Sequence, residues 1–487
     1  MHGRPERTEL LDDSKTPLTV IAWFPRIVEQ FKNRQVKYND WGRSDQRAGR
    51  YPMIIYTLLA AGYIFLWGRK LLGEGWSLLP VILFLFDPLV LGHSGIIGSD
   101  IASAAVCSAV LFHLWQYLVL KKRKDFLWMS FFLGMACITK QNLVLLLFMV
   151  PIICLFNHLQ QHTLKSFFSK KNIFTAIVAA AIVWLVINTV FYFHGSSNNL
   201  ASYHFESNAF INLQNRLSFF SHVPLLLPEP FIRGVDMIQY HAQIGGGQLL
   251  STYNSVTVWG HESIHHGFWF YYLAIGILKM PLPVILLGLV GLFKLTLLAI
   301  NKKFKLEVQH IILLLPVLVF FVVLSLFNPF QIGIRHLLFL FPSMYILLAL
   351  LIKQLASENN KARRIFVVFV LWQFISVACY LNNYIAYTNE LAFDKTSIIQ
   401  WVSDSSMDYG QNSSLPQKYV HEHPGFKLPD SIPSIGKFAV RAIKVLHTNK
   451  REPDTYAWLR KDYKPFGNYK GTVWLYDIKE LSMAGRN

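Results

Sequence analysis

The sequence predicts an all-α polytopic membrane protein of about ten transmembrane helices, with a small α/β or β-rich domain after them. Three observations predict it. The chain is 53% hydrophobic and 15% charged over 487 residues, against about 25% charged in average soluble domains, and its mean hydropathy is +0.34. Long apolar stretches recur, and the basic residues between them fall in alternate loops. The last part of the chain is polar and mixed in charge, with strand-like runs.

The apolar stretches lie near 51–67, 76–92, 99–120, 126–139, 142–158, 173–193, 281–300, 309–327, 337–353 and 365–382. A hydrocarbon core of ~30 Å takes about 20 apolar residues in a helix. Several of these stretches are shorter and lean on interfacial Trp, Tyr or Lys. Cys107, Cys137, Cys154 and Cys379 all fall within the spans, which suits packing better than a disulfide set or metal site. The net charge of +18 sits mainly in short inter-span loops. Lipid headgroups account for that pattern, and nucleic-acid binding does not.

Alternate loops carry Arg69 and Lys70, then 121–124, then Lys165, Lys170 and Lys171, then Lys302, Lys303 and Lys305, then Lys353, Lys361, Arg363 and Arg364. The short loops of opposite phase hold only Lys140 and Arg335. The positive-inside rule makes the first set cytoplasmic. Segment 194–266 and the tail from 383 are then exoplasmic. Residues 1–50 would also lie outside, although they contain ten Lys or Arg. A first transmembrane helix missing upstream is the simplest expectation from that conflict.

Three regions follow. Residues 1–50 read as a first outer loop, whose run PLTVIAWF at 17–24 suits an interfacial helix. Residues 51–382 form the transmembrane core, including a large outer loop at 194–280. The aromatic stretch 268–279 in that loop reads as a helix in the outer interface, ending at Lys279 before Pro281 and Pro283. Residues 383–487 form the exoplasmic domain, with strand-like runs at 438–447 and 471–478.

The chemistry-bearing residues gather on the outer side. Asp100, in GHSGIIGSD at 92–100, sits where a loop enters a span; a helix cap and a functional carboxylate both suit that position. Asp87 and His93 precede it. Arg335, followed by His336, is the one Arg of the short outer loops. Headgroup anchoring competes there with bidentate phosphate recognition. Lys15, beside Asp12 and Asp13, reads as a solvated cluster or a phosphate contact, and Lys279 as a snorkelling side chain or a phosphate contact. HESIHH at 261–266 offers a helical pair, His261 and His265, without further ligands. No cofactor motif stands out, and a divalent metal stays open.

Four segments then fall in order: DPLVLGHSGIIGSDIASAAVCSAVLFHLWQYL at 87–118, WFYYLAIGILKMPLP at 269–283, IGIRHLLFLFP at 332–342 and DSSMDYGQN at 404–412. Together they resemble the polyprenyl-phosphate-dependent glycosyltransferases of family 39, the protein O-mannosyltransferases and bacterial relatives that include aminoarabinose transferases. The resemblance implies a type-C glycosyltransferase fold and a polyprenyl-phosphate sugar donor. It implies transfer, with inversion, to a lipid, protein or polysaccharide acceptor at the outer face of a bacterial inner membrane. Asp100 then matches a catalytic position. Arg335, Lys15 and Lys279 match donor-phosphate contacts, with His93, His336, Asp87 and Asp13 as further cavity residues. The family's acidic base motif would lie upstream of Met1, and its absence here puts catalytic competence in question. The competing readings are a lipid or sugar transporter or flippase, and an inactive membrane scaffold. A transporter would carry polar groups deep within its spans. Here His113, Gln116 and Asn188 lie within spans, and most ions sit at span ends.

Overall fold

The computed structural model describes residues 17–32, 43–160, 162–244, 248–249, 252–253, 256–258, 261–263, 267–301, 306–328, 331, 333–358, 360–396, 398–401, 407–447 and 453–482. Lys15, Asp12, Asp13, His265 and His266 lie outside them. The helices run in order: α1 Phe24–Lys32, α2 Arg43–Leu72, α3 Leu78–Leu85, α4 Pro88–Ser94, α5 Ser99–Leu120, α6 Arg123–Thr139 and α7 Leu146–Leu159. There follow α8 Leu164–Phe167, α9 Lys170–Val190, α10 Asn208–Arg216, α11 Glu229–Ile244, α12 Tyr271–Lys279, α13 Leu282–Ile300, α14 Val308–Leu326, α15 Phe341–Glu358 and α16 Asn360–Ala378. Short helices α17 Ile398–Trp401, α18 Leu415–Glu422, α19 Ala442–Val445 and α20 Ala457–Asp462 lie in the C-terminal part.

Each of the ten apolar stretches falls on helix, as the sequence predicts. Among the described residues, six helices are long and apolar enough to cross a bilayer, or seven if the bent pair around Asp87 is one span. The remainder fall short for visible reasons. Helix α6 has 17 residues, the apolar part of α13 is Leu282–Leu297, and α16 opens with Lys361, Arg363 and Arg364. The chain is an integral membrane protein, because segments this apolar have no other stable solvent.

The chain divides into two compact units. One comprises Met1–Gln243, Leu286–Phe321 and Leu337–Val368; the other comprises Ile244–Ile285, Val322–His336 and Phe369–Asn487. In the first, α5 packs on α2 and α6, α6 on α9, and α15 on α2 and α3. Helix α5 is the most enclosed of the spanning helices, with 78% of its apolar window buried. Its small residues Ala102, Ser103, Ala104, Ala105 and Ala109 are almost wholly buried, which lets neighbouring backbones approach.

Polar clasps close the loop end of the α5–α6 hairpin. The His113 Nδ1 and Asp125 Oδ1 atoms lie 2.6 Å apart, the Tyr63 hydroxyl is 3.2 Å from His113 Nε2, and Lys122 donates to Gln116 Oε1 at 3.0 Å. The His113–Asp125 contact pairs two largely buried side chains, 12% and 3% exposed. The break between α3 and α4 bends the chain by 67°. Pro88 has no N–H to continue α3, and Asp87 caps α4 by accepting from Leu89 N at 2.8 Å and Val90 N at 3.2 Å.

The second unit carries the sheet. Strands β1 Gln248–Leu249 with β2 Thr252–Tyr253, and β3 Val256–Val258 with β4 His261–Ser263, form two antiparallel pairs. His261 therefore stands on a strand, and the helical His-x-x-x-His spacing expected for 261 and 265 does not form. Strands β5 Phe426–Lys427, β6 Gly436–Arg441, β7 Gly467–Tyr469 and β8 Val473–Ile478 make a four-stranded sheet in the order β5-β6-β8-β7. Phe438 faces Tyr476 and Ala439 faces Leu475 across the antiparallel β6–β8 pair. The sheet packs Ala439, Val473 and Leu475 against Tyr419 of α18. The run 438–447 is strand only to Arg441. Its end turns into α19, where Ala442 and Val445 bury against the domain core.

Gly134 of α6 marks a close approach of α6 to α9, since a Cβ there would stand 2.8 Å from Val186 Cβ. Gly134→Val should therefore wedge the two helices apart and cost about 1–3 kcal/mol. A thermal-unfolding midpoint in detergent that equals wild type would contradict this packing.

Candidate functional site

The first unit presents an acid and a base buried together. Asp100 lies in the first turn of α5, whose cap position is Gly98 and carries no side-chain cap bond. Its carboxylate reaches across 40 residues instead, and Lys140 Nζ donates to Asp100 Oδ1 at 2.8 Å. The side chains are 10% and 12% exposed for Lys140 and Asp100. Lys140 ends α6 in an extended conformation, before the 3-10 turn Gln141–Leu145. The anion thus sits at the positive end of one helix and the cation at the negative end of its antiparallel neighbour, so both dipoles favour the pair. His93 of α4 joins it, with Nδ1 3.9 Å from Asp100 Oδ2. The Lys140 ammonium also lies 6.0 Å from the Phe339 ring centroid.

Asp87, though only a few residues upstream, serves the fold. It is 0% exposed, caps α4, and accepts from the Tyr345 hydroxyl at 2.5 Å.

The second unit gathers Arg335 and Lys279 around one tripeptide, Met407–Tyr409. The Arg335 guanidinium lies 4.5 Å from the Tyr409 ring centroid, a cation–π distance. Asp408 accepts from Arg441 Nε at 3.0 Å and Nη2 at 2.8 Å, a two-pronged bond that fixes the tripeptide. Its other oxygen accepts from Gly410 N at 2.9 Å. Lys279 Nζ donates to Ile385 O at 2.7 Å and stands 3.6 Å from Met407 Sδ.

Lys279 is 0% exposed and ends α12, so it is a buried cation and not a snorkelling one. Asn389 closes the same helix end, its Nδ2 donating to Ile277 O at 2.6 Å and Met280 O at 2.8 Å. Helix α12 is likewise packed on most sides, with Tyr271, Tyr272, Ala274, Ile275 and Leu278 buried.

The backbone before Arg335 is held with equal care. Gln331 donates to Phe268 O at 2.8 Å and accepts from Phe268 N at 2.7 Å. Gly333 N donates to the Tyr271 hydroxyl at 2.5 Å. Gly333 has φ +112°, a conformation that a side chain strains, which accounts for the Gly in Ile-Gly-Ile-Arg. His336 is 7% exposed and follows Arg335 directly in a 3-10 turn.

The structure thus brings together Asp100, His93 and Lys140 in one unit, and Arg335, Lys279 and Tyr409 in the other. Two of these residues, Lys140 and Tyr409, are not among the site residues the sequence predicts. The signal for Lys140 was present: it shares with Arg335 the distinction of being basic in an otherwise uncharged loop phase. Tyr409 lies inside a motif that invites attention to its acids. Among the described residues no group of three or more His, Cys, Asp or Glu is arranged to hold a metal.

Residues 41–187 match the model for dolichyl-phosphate-mannose-protein mannosyltransferases. The chain is similar to the polyprenyl-phosphate-dependent glycosyltransferases of family 39. The matched segment 41–187 contains α5, α6 and the whole segment 87–118, and so Asp100 and Lys140. The segments holding Arg335, Lys279 and Tyr409 lie beyond it. No curated protein matches the chain.

Two solved structures are similar. One is ArnT from Cupriavidus metallidurans bound to undecaprenyl phosphate, with TM-score 0.45 and 12% identity over 97% of this chain and 90% of that one. The other is the same protein in the apo state, with TM-score 0.42 and 13% identity over 87% and 72%.

Breaking the Asp100–Lys140 pair from either side leaves a buried charge without its counter-ion. Asp100→Asn and Lys140→Met should each destabilise the protein by about 3–5 kcal/mol, and the double variant by less than the sum. Additive losses in thermal unfolding would mean that the two side chains do not interact.

Proposed function

We propose that this protein transfers a sugar from a polyprenyl-phosphate donor to an acceptor at the exoplasmic face of its membrane. The observation that carries the reading is the fixing of two cations, Arg335 and Lys279, by the single tripeptide Met407–Tyr409. The similarity of residues 41–187 to dolichyl-phosphate-mannose-protein mannosyltransferases supports the donor class.

The chemistry asks for such cations. The acceptor heteroatom forms a bond to the anomeric carbon, the carbon–oxygen bond to phosphate breaks, and the bonding pair leaves with the phosphate. Negative charge grows on that departing group, and a preorganised cation in a low-dielectric setting stabilises it strongly. Arg335 is assigned to the phosphate, since its planar fork matches phosphate oxygens and its rear face rests on Tyr409. Lys279 adds fixed positive charge through the same tripeptide. Attack from the side opposite the phosphate gives inversion. The acceptor's proton goes to a carboxylate base. Asp100 is read as the residue that orients Lys140, to which it is bonded at 2.8 Å.

Arg335→Ala should lower transfer of label from radiolabelled polyprenyl-phosphate sugar by roughly 10²–10³-fold, the usual loss for one electrostatic donor. Folding should hold, as judged by an unchanged unfolding midpoint. Near-normal turnover of the variant would remove Arg335 from the phosphate.

Tyr409→Phe keeps the ring under Arg335 and should retain activity, whereas Tyr409→Leu should raise KM. Equal effects of the two substitutions would show that the hydroxyl, and not the ring face, matters.

A further inference from the structure

Residues 208–226 form a prong that holds its apolar side chains outward. Helix α10 and the 3-10 turn Ser218–Phe220 lead to Pro224, which bridges to Asn199. Along this stretch Leu213 is 47% exposed, Leu217 38%, Phe219 90%, Phe220 53%, Val223 50% and Leu226 56%. This exposure does not come from a loose chain. Ala201 N donates to Ser221 O at 2.9 Å, and Leu225 N to Asn198 O at 3.2 Å. Gln214 Nε2 donates to Leu200 O at 2.8 Å and Tyr203 O at 2.9 Å. The frame is satisfied internally, and its apolar face is left over. The stretch contains no Asp or Glu, and Arg216 is its one Lys or Arg. An apolar patch of this kind on a built frame marks a binding surface.

A second observation says what covers it. The prong is tied to the surface of a spanning helix. Trp184 Nε1 of α9 donates to Leu226 O at 2.6 Å, and Asn188 Nδ2 to the same oxygen at 3.2 Å. The Trp184 and Phe193 rings stand 5.9 Å apart. Only 17% of the apolar window of α9 is buried by protein, so its exposed Phe174, Ile177 and Leu185 face lipid. Tyr192, just past its end, is 91% exposed. The prong is thus anchored at its Leu226 end to this weakly covered helix, beside Trp184 and at the end opposite Lys170 and Lys171.

We propose that residues 208–226 are a lipid-binding prong that lies in the bilayer interface, with phospholipid acyl chains as its partner. An amphipathic element of this composition sits with its apolar side about 5–10 Å into the headgroup and acyl boundary. Phe219 and Phe220 supply the depth, and the amides of Asn212 and Asn215 stay at the polar level. The proposal is independent of the transferase reading, since it rests on the surface of the first unit alone.

Spin labelling tests it on the full chain in phospholipid nanodiscs. Cys379, which is exposed, and Cys154, which is half-buried, are first replaced, while Cys107 and Cys137 are buried. Nitroxides are then placed singly in Phe219→Cys and Phe220→Cys. Ile177→Cys on α9 serves as the lipid reference, and Lys437→Cys on β6 as the water reference. Both prong labels should collide with oxygen as Ile177→Cys does, and with a water-soluble nickel chelate several-fold less than Lys437→Cys does. Nickel access equal to the water reference would overturn the proposal. Low access to both reagents would also overturn it, because protein and not lipid would then cover the prong.

Discussion

The buried contact between Asp100 and Lys140 sets the geometry on which the helical unit depends. Taking two ions out of water costs several kcal/mol apiece, so the pair exists only because it is close, at 2.8 Å, and well placed. Helix dipoles favour both partners, since each stands at the end of opposite sign. The pair clasps the open end of the α5–α6 hairpin, and His113 with Asp125 clasps its loop end. Between the clasps the helices meet through small residues. With both ends pinned, α5 can serve as the central member against which α2 and α6 align.

The second unit applies the same economy of charge with other means. Arg335 approaches a ring face, Lys279 a carbonyl and a thioether, and the acid in between, Asp408, is engaged by Arg441. These bonds hold both side chains in fixed positions. The neighbouring amide pair between Gln331 and Phe268, and the Gly333 turn, fix the backbone that carries Arg335.

The helical fold was legible because apolar runs and alternating charge are strong, local signals. All ten stretches proved helical, and the short C-terminal sheet formed where β-branched and aromatic runs lay. Span number was less legible. Length and charge at a helix end decide it, and α6, α13 and α16 are each marginal on one of those counts. The candidate site was legible as residue types but not as partnerships. Asp100 and Lys140 are far apart in sequence, and their contact depends on how two helices pair. The burial of Lys279 was also hidden, because an apolar stretch ending in Lys looks the same whether that Lys reaches water or meets a carbonyl. Asp87 looked functional for the opposite reason. Its place before Pro88 is a cap position, and capping with the Tyr345 bond accounts for both of its oxygens.

The central claim is that fixed cations in this protein await a lipid-borne phosphate. Native mass spectrometry of the full chain with polyprenyl phosphate and with the uncharged polyprenol of equal length tests it most directly. The account predicts that the phosphate lipid is retained well beyond the alcohol, and that Arg335→Ala erases the difference. Equal retention of both lipids by the wild-type protein would contradict it.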